Sequence, residues 1–220
     1  MSLSYQTSIF DITTDEYNVR AIPKKDAHFL LLNVHYLKRL PPMTYAFGLF
    51  EHEQLVGVVT YGTPPSYTLM KGICGEPYAK IVLELNRLVL LNNKPNEASR
   101  LVGASLKLLP KPSIVVSFAD TAQNHEGIIY QATNFIYTGL SAKFKQLMVK
   151  GFEGKHPLAA IYGLTVAETK LKYGAENCTL VERSRKHRYI KFVGNKTQIK
   201  EMRAALKYKV LNYPKPINQN

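Results

Sequence analysis

Four side chains stand out by type and setting: Arg87, Ser99, Asp120 and Tyr130. Arg87 interrupts an apolar run, Ile81 to Leu91. A guanidinium buried in such a run needs an anionic partner, which could be Glu84, Asp120 or a ligand phosphate. Asp120 ends a second apolar run, Ser113 to Ala119. Ser99 falls in the first turn of a helix that Asn96 can cap, with Pro95 before it and Glu97 after it. Helix N-termini offer unpaired N–H groups and a partial positive charge to phosphates. Tyr130 sits on a short helix that Asn124 can cap. These types together suit an anionic, phosphate-bearing ligand beside a carboxylate and a phenol. Two plainer roles stay open: Asp120 caps the next helix, and Tyr130 is a core aromatic with a satisfied hydroxyl.

The elements that must position these groups follow from the pattern. Ile81–Leu91 reads as an interior strand, and Leu101, Val102, Leu106 and Leu109 at helical spacing follow it up to Pro110. Ser113–Ala119 reads as a second buried strand. This is a βαβ unit, and open α/β sheets bind ligands at the carboxyl ends of their strands. No GxGxxG and no GxxxxGK[ST] is present, so neither a dinucleotide fold nor a P-loop is indicated. Upstream, Asp26–Leu40 predicts an amphipathic helix, with His35, Tyr36 and Arg39 off its apolar stripe and facing either solvent or a cleft. Tyr45–Phe50 and Leu55–Tyr61 predict a hairpin. Tyr61 ends the hairpin, and Gly62–Lys80 reads as a long loop whose Tyr67, Lys71 and Tyr78 suit stacking on a displaced base, or whose Tyr67 and Tyr78 only pin it down.

Downstream, Phe135–Leu140 and Tyr189–Val193 read as strands and Val166–Tyr173 as a helix, with a last helix capped by Thr197. Between them lies a basic insertion at about 141–187, holding Lys143, Lys145, Lys150 and Lys155. The run Arg183, Ser184, Arg185, Lys186, His187, Arg188 is the densest basic cluster, suited to phosphate contact or to a solvated face. The first twenty residues, with Ile9, Phe10 and Ile12, could be an edge strand or an arm, and the tail 212–220 reads as loose.

The 220 residues carry a net charge of +13, which favours a polyanionic partner through counterion release. Two cysteines, no secretory signal and no membrane-length apolar run point to a reducing cytoplasmic setting.

The order of elements resembles the acyl-CoA N-acyltransferase (GNAT) fold. The resemblance implies an α+β, three-layer (α/β) single domain over 1–220. A central mixed twisted sheet has helices on both faces, and a coenzyme-A-type cleft opens between two splayed parallel strands. The ligand's pyrophosphate would rest at Asn92–Ser99, although this loop lacks the glycines usual there. A narrower resemblance rests on an ordered set of short motifs: HisTyr-x-x-Arg at 35–39, PheGlyLeuPheGlu at 47–51, ValValThrTyrGly at 58–62, GluLeuAsnArgLeu at 84–88, SerPheAlaAsp at 117–120 and HisGluGlyIleIleTyrGlnAlaThrAsn at 125–134. LysHisArgTyrIle at 186–190 is a further echo. This set resembles the Mom DNA-modification proteins of bacteriophages, which convert adenine to its N6-carbamoylmethyl derivative and hide phage DNA from host restriction.

The resemblance implies a transferase acting on double-stranded DNA in the host cytoplasm, without a membrane. Its implied catalytic residues are His35, Tyr36, Asp120 and Tyr130. Arg87, Asn96 and Ser99 would hold acetyl-CoA or a related thioester, and Tyr61, Tyr67, Lys71, Arg183, Arg185, Lys186 and Arg188 would meet DNA. Asp120 would take the amine proton and Tyr130 would assist the leaving group. His35, Tyr36 and Asp120 could also hold a metal, although no strong ligand spacing is present. Two other classes fit the same residues: an acetyltransferase acting on a small amine or a protein, and a non-catalytic nucleic-acid-binding protein.

Overall fold

The computed structural model describes residues 17–152 and 158–215. Ile9, Phe10 and Ile12, Gly154 and Lys155 of the insertion, and residues 216–220 lie outside the described residues. The chain forms two compact units, one comprising Met1–Val116 with Phe192–Lys207, the other Ser117–Lys191 with Tyr208–Asn220.

The first unit is built on a mixed sheet. Its strands are β1 (Tyr17–Ala21), β2 (Tyr45–Glu51), β3 (Gln54–Gly62), β4 (Val82–Leu90) and the start of β5 (Ser113–Asp120), in that spatial order. The first three connections are antiparallel. β4 and β5 are parallel, as a strand–helix–strand passage demands, and their ladder runs from Val82 opposite Ile114 to Glu84 opposite Val116. The helix between them is α2 (Glu97–Leu108), whose Leu101, Val102 and Leu106 are buried at helical spacing against the sheet. The expected βαβ unit is therefore present.

Two stretches differ from the sequence reading. The expected helix over 26–40 is displaced and shorter: a 3-10 turn at Lys24–Ala27 runs on through His28 and Phe29 into a π-helical turn at Leu30–Val34, after which His35 is extended. Of the expected apolar stripe Ala27, Leu30 and Leu31 are buried, whereas Val34 is exposed. The expected loop at 62–80 contains a helix, α1 (Tyr67–Cys74). Ser66 caps it by accepting from the Leu69 N–H, and Gly75, at φ +95°, ends it.

The second unit holds the end of β5, then α3 (Ile128–Ala132) and β6 (Ile136–Leu140). A small antiparallel sheet follows, made of β7 (Lys145–Val149) and β8 (Cys178–Glu182). Between its strands come α4 (Leu158–Ile161) and α5 (Val166–Tyr173), the latter opened by a capping box between Thr165 and Glu168. β9 (Lys186–Val193) pairs antiparallel with β6. The basic insertion thus contains a folded two-stranded sheet. The last helix, α6 (Lys196–Ala204), belongs to the first unit and is capped by Asn195 rather than Thr197, since Asn195 and Gln198 form the reciprocal box. No helix among the described residues is long and apolar enough to cross a membrane.

Candidate functional site

The site residues fall into two groups, one in each unit. In the first unit the organising feature is a bulge in β4. Thr60 lies opposite Arg87, yet Tyr61 lies opposite Leu85, so Asn86 is the extra residue. Bulges re-aim side chains next to functional sites. Here Asn86 turns to accept from the Thr60 hydroxyl at 2.6 Å and to donate to the Pro42 carbonyl at 2.7 Å.

Arg87 is half-buried and donates from one terminal nitrogen to the Asn86 carbonyl at 2.6 Å. Its Nε is buried and has no hydrogen-bond partner among the described residues. Burial lowers the pKa of Arg87 from its ordinary value, and the charge of Arg39 lowers it further, while Tyr36 and Glu84 act the other way.

His35 is buried and its ring stacks on Tyr36 with centroids 4.6 Å apart. Its Nδ1 accepts from the Leu37 N–H at 3.1 Å. Burial first, then the Arg87 charge, pushes its pKa down to about 4. The ring is therefore neutral at pH 7 and carries its proton on Nε2, as a donor. The early end of the helix explains this geometry, because an extended His35 lets the ring close back onto the Leu37 N–H. Arg87 Nε and His35 Nε2 are two donors in one electrostatically coupled group, suited to an oxygen of a carboxylate, carbonyl or phosphate.

Tyr61 is fully buried and edge-packed on Phe47, with its hydroxyl 2.7 Å from that of Ser105. Ser105 donates to the Val102 carbonyl, which makes Tyr61 the donor in that pair. Tyr67 and Lys71 share the exposed face of α1, with the Lys71 ammonium 6.0 Å from the Tyr67 ring, and Tyr67 bonds Glu76.

The N-terminus of α2 also lies in this unit. Asn96 occupies the cap position with left-handed backbone, and its side chain makes no capping bond. Ser99 donates to the Asn96 carbonyl at 3.1 Å. Glu97 is buried and turned away to accept from Tyr17 and from the Lys94 N–H, while the Lys94 ammonium pairs with Glu51 at 2.6 Å. The Asn96 side chain thus takes no part in capping this helix.

In the second unit, Asp120 ends β5. One carboxylate oxygen accepts from the Ala122 N–H at 3.0 Å and from the Ser184 hydroxyl at 2.6 Å, and the other lies 3.6 Å from the Lys186 ammonium. Burial raises its pKa, but the bonds from Ser184 and Ala122 and the Lys186 charge outweigh that and hold it below the usual carboxylate range. The expected capping of the following turn is real, and it coexists with contacts that orient the carboxylate. Asn124 does not cap α3; it ends the short turn after Asp120 in left-handed conformation, and Gly127 opens α3.

Tyr130 packs its ring against Phe135 and Tyr189, with centroids 5.4 and 5.2 Å away. Tyr189 is fully buried, bonds the Glu126 carbonyl, accepts from Gln131 at 3.4 Å, and has its pKa pushed up to about 12 by burial. Gly127, at φ +72°, lies so close that a Cβ there would overlap the Tyr189 ring. Tyr189 and Gly127 are the supporting residues that sequence reasoning missed. The signal was a glycine three residues before Tyr130.

The basic run splits in two. Arg185 donates to the Ser141 carbonyl at 2.7 Å, and Lys186 faces Asp120. Arg188 bonds Thr138 and lies 3.4 Å over the Tyr208 ring. Arg183 stays exposed, with no side-chain partner among the described residues. Among those residues no group of three or more His, Cys, Asp or Glu is placed to hold a metal ion.

Comparison with known proteins gives three kinds of likeness. The Mom protein family profile matches residues 16–215. The methylcarbamoylase mom of Escherichia phage Mu is 28% identical over 220 residues, covering 97% of this chain and 90% of that protein. Solved structures include Arabidopsis thaliana NAA60 in complex with acetyl-CoA, at TM-score 0.49 and 12% identity, covering 80% of this chain and 98% of that one. Another is yncA, an acetyltransferase-type protein from Salmonella typhimurium with acetyl-CoA, at TM-score 0.46 and 8% identity, covering 82% and 96%. The α+β mixed-sheet architecture rests on the strand order described above. The profile match spans nearly the whole chain, and on that ground the chain belongs to the Mom protein family.

Proposed function

We propose that this protein is a transferase that modifies adenine at N6 in phage DNA, yielding the N6-carbamoylmethyl base and shielding the DNA from restriction. The observation that carries this reading is the family match over residues 16–215, backed by the likeness to the phage Mu methylcarbamoylase. The net charge of +13 suits a polyanionic substrate.

The reaction joins N6 to a methylene carbon as that carbon's bond to its leaving group breaks, and the amine gives up one proton while the leaving group takes one up. That amine is a weak nucleophile because its lone pair is delocalised into the ring. Asp120, ionised and aimed by Ser184 and Ala122, accepts a hydrogen bond from the amine and then its proton. Lys186, beside the second oxygen, offsets the charge that remains on the carboxylate before transfer. Tyr130, fixed between Phe135 and Tyr189, gives its hydroxyl proton to the departing group. In the first unit, Arg87 and neutral His35 are donors suited to a ligand oxygen. Tyr36 holds the His35 ring.

A coenzyme A thioester would be held at the 96–99 main chain and Ser99, and when bound it supplies an activated acyl carbon. Because acyl transfer alone joins N6 to a carbonyl carbon, the methylene product demands a further step or another donor. Tyr67, Lys71 and Arg183 are the exposed candidates for DNA contact, whereas Tyr61, Arg185 and Arg188 act through the fold.

The test is plasmid DNA from cells expressing the protein, challenged with restriction enzymes that have adenine in their sites and digested for nucleoside mass spectrometry. Resistance with a carbamoylmethyl mass increment on deoxyadenosine is expected. Fully cut DNA with unmodified deoxyadenosine, from cells holding soluble folded protein, overturns the proposal.

A further inference from the structure

The connection from β6 to β7 carries Phe144, with 60% of its surface exposed, between exposed Lys143 and Lys145. A single exposed apolar residue is ordinary. Three features set this one apart. The first is its company: Arg183 lies directly across the strand pair, donating its N–H to the Phe144 carbonyl at 2.9 Å, and it too is exposed. Lys143, Lys145 and Arg183 have no ion-pair partner among the described residues, and Glu182, opposite Lys145, is the one carboxylate beside them in the ladder.

The second feature is rigidity. Ser141, three residues before Phe144, donates its N–H to the Lys186 carbonyl at 2.8 Å. Its hydroxyl accepts from the Lys186 N–H at 2.9 Å, and its carbonyl accepts from Arg185 at 2.7 Å. With the Arg183 bond at the other end, the connection is fastened on both sides of the exposed ring. A fastened loop loses little conformational entropy when it docks.

The third feature is place. Ser184, next to Arg183, is the residue that bonds Asp120 at 2.6 Å. Phe144 is therefore one cross-strand step and one residue from the side chain that orients the carboxylate.

An apolar side chain flanked by cations is the arrangement that enters a base step while the cations hold the adjoining phosphates. We propose that Phe144, backed by Lys143, Lys145 and Arg183, is a wedge that enters duplex DNA beside the adenine presented to Asp120. This rests on the reading that duplex DNA is the substrate. A paired, stacked adenine does not expose its amine to a carboxylate, and a wedge that fills the vacated space stabilises the extruded state.

The test uses the full chain and duplexes with 2-aminopurine opposite thymine in varied flanking contexts. Wild type raises the 2-aminopurine fluorescence on binding. Phe144→Ala loses that rise and modifies DNA roughly tenfold less, the scale of one lost stacking contact. It keeps the wild-type slope of log affinity against log salt. Phe144→Leu retains most of the fluorescence rise, since an aliphatic wedge also separates bases. An abasic site opposite the target restores the Phe144→Ala protein. Lys143→Gln with Arg183→Gln lowers the salt slope by about two. If Phe144→Ala unstacks and modifies DNA as wild type does, the wedge is wrong and the DNA reading stands. If wild type neither binds nor modifies duplex DNA, both fall.

Discussion

The two groups of site residues solve opposite problems. Around Asp120 nearly every polar atom is engaged: Ala122 and Ser184 hold one oxygen, Lys186 faces the other, and Ser184 sits on the strand connection that also anchors Phe144. Around Arg87 a buried donor is left open, and the neighbouring histidine is kept neutral. A satisfied group is preorganised and costs nothing to rearrange during reaction. An unsatisfied buried donor costs folding energy that a ligand oxygen returns on binding. On the proposed function, Asp120 handles a proton and Arg87 captures a ligand oxygen.

The contrast breaks most visibly at Asp120. Asp120→Asn is expected to lower modification by about a thousandfold, the scale of a lost general base, with an unchanged melting temperature because the amide still accepts from Ala122 and Ser184. Nucleoside mass spectrometry and a thermal melt check this, and near-wild-type yield would make Asp120 a cap alone. Next comes Arg87→Met. Activity should fall about a hundredfold while stability holds or rises by about 1 kcal/mol, because an incompletely satisfied buried cation is replaced by an apolar chain. A large loss in denaturant stability would show that Arg87 is held by the fold and not kept for a ligand.

The basic run gives a smaller, sharper pair. Arg188→Ala should cost about 1–2 kcal/mol of stability through the lost Thr138 bonds and the Tyr208 contact. Arg183→Ala should leave stability alone and lower the salt slope of DNA binding by about one. The smallest effect is in pH. Because the folded His35 has its pKa pushed down to about 4, the unfolded chain binds the proton first as pH falls from about 6.5. His35 therefore takes nothing from stability above that range and progressively destabilises the fold between pH 6.5 and 4. Urea melts of His35→Gln across this window should show a flatter decline, by about 1–2 kcal/mol.

Much of this organisation was legible in the sequence where hydrophobic period and cap chemistry agreed. The βαβ core came from continuous apolar runs around a helix with Leu101, Val102 and Leu106 in register, and α5 matches its expected span, Val166–Tyr173. The misreadings lie where local signals conflict. Pro64, Pro65, Gly72 and Gly75 hid α1, although Ser66 was a sound cap. The stripe over 26–40 is buried at Ala27, Leu30 and Leu31, while Val34 is exposed: the ring of His35 competes for the Leu37 N–H and the helix stops early. Candidate residues were nameable from type and setting. The bulge at Asn86, the neutral state of His35 and the engagement of Arg185, Lys186 and Arg188 depend on contacts distant in sequence, which no spacing rule encodes.

The close approach of Gly127 to Tyr189 constrains how the protein can drift. A side chain at 127 has nowhere to go while residue 189 is a tyrosine, and a smaller residue at 189 removes the ring against which Tyr130 rests. The three positions change as a set or not at all. A homologue with a branched residue in place of Gly127 must have rebuilt the support of its phenol, and single substitutions at 127 are dead ends on the way there.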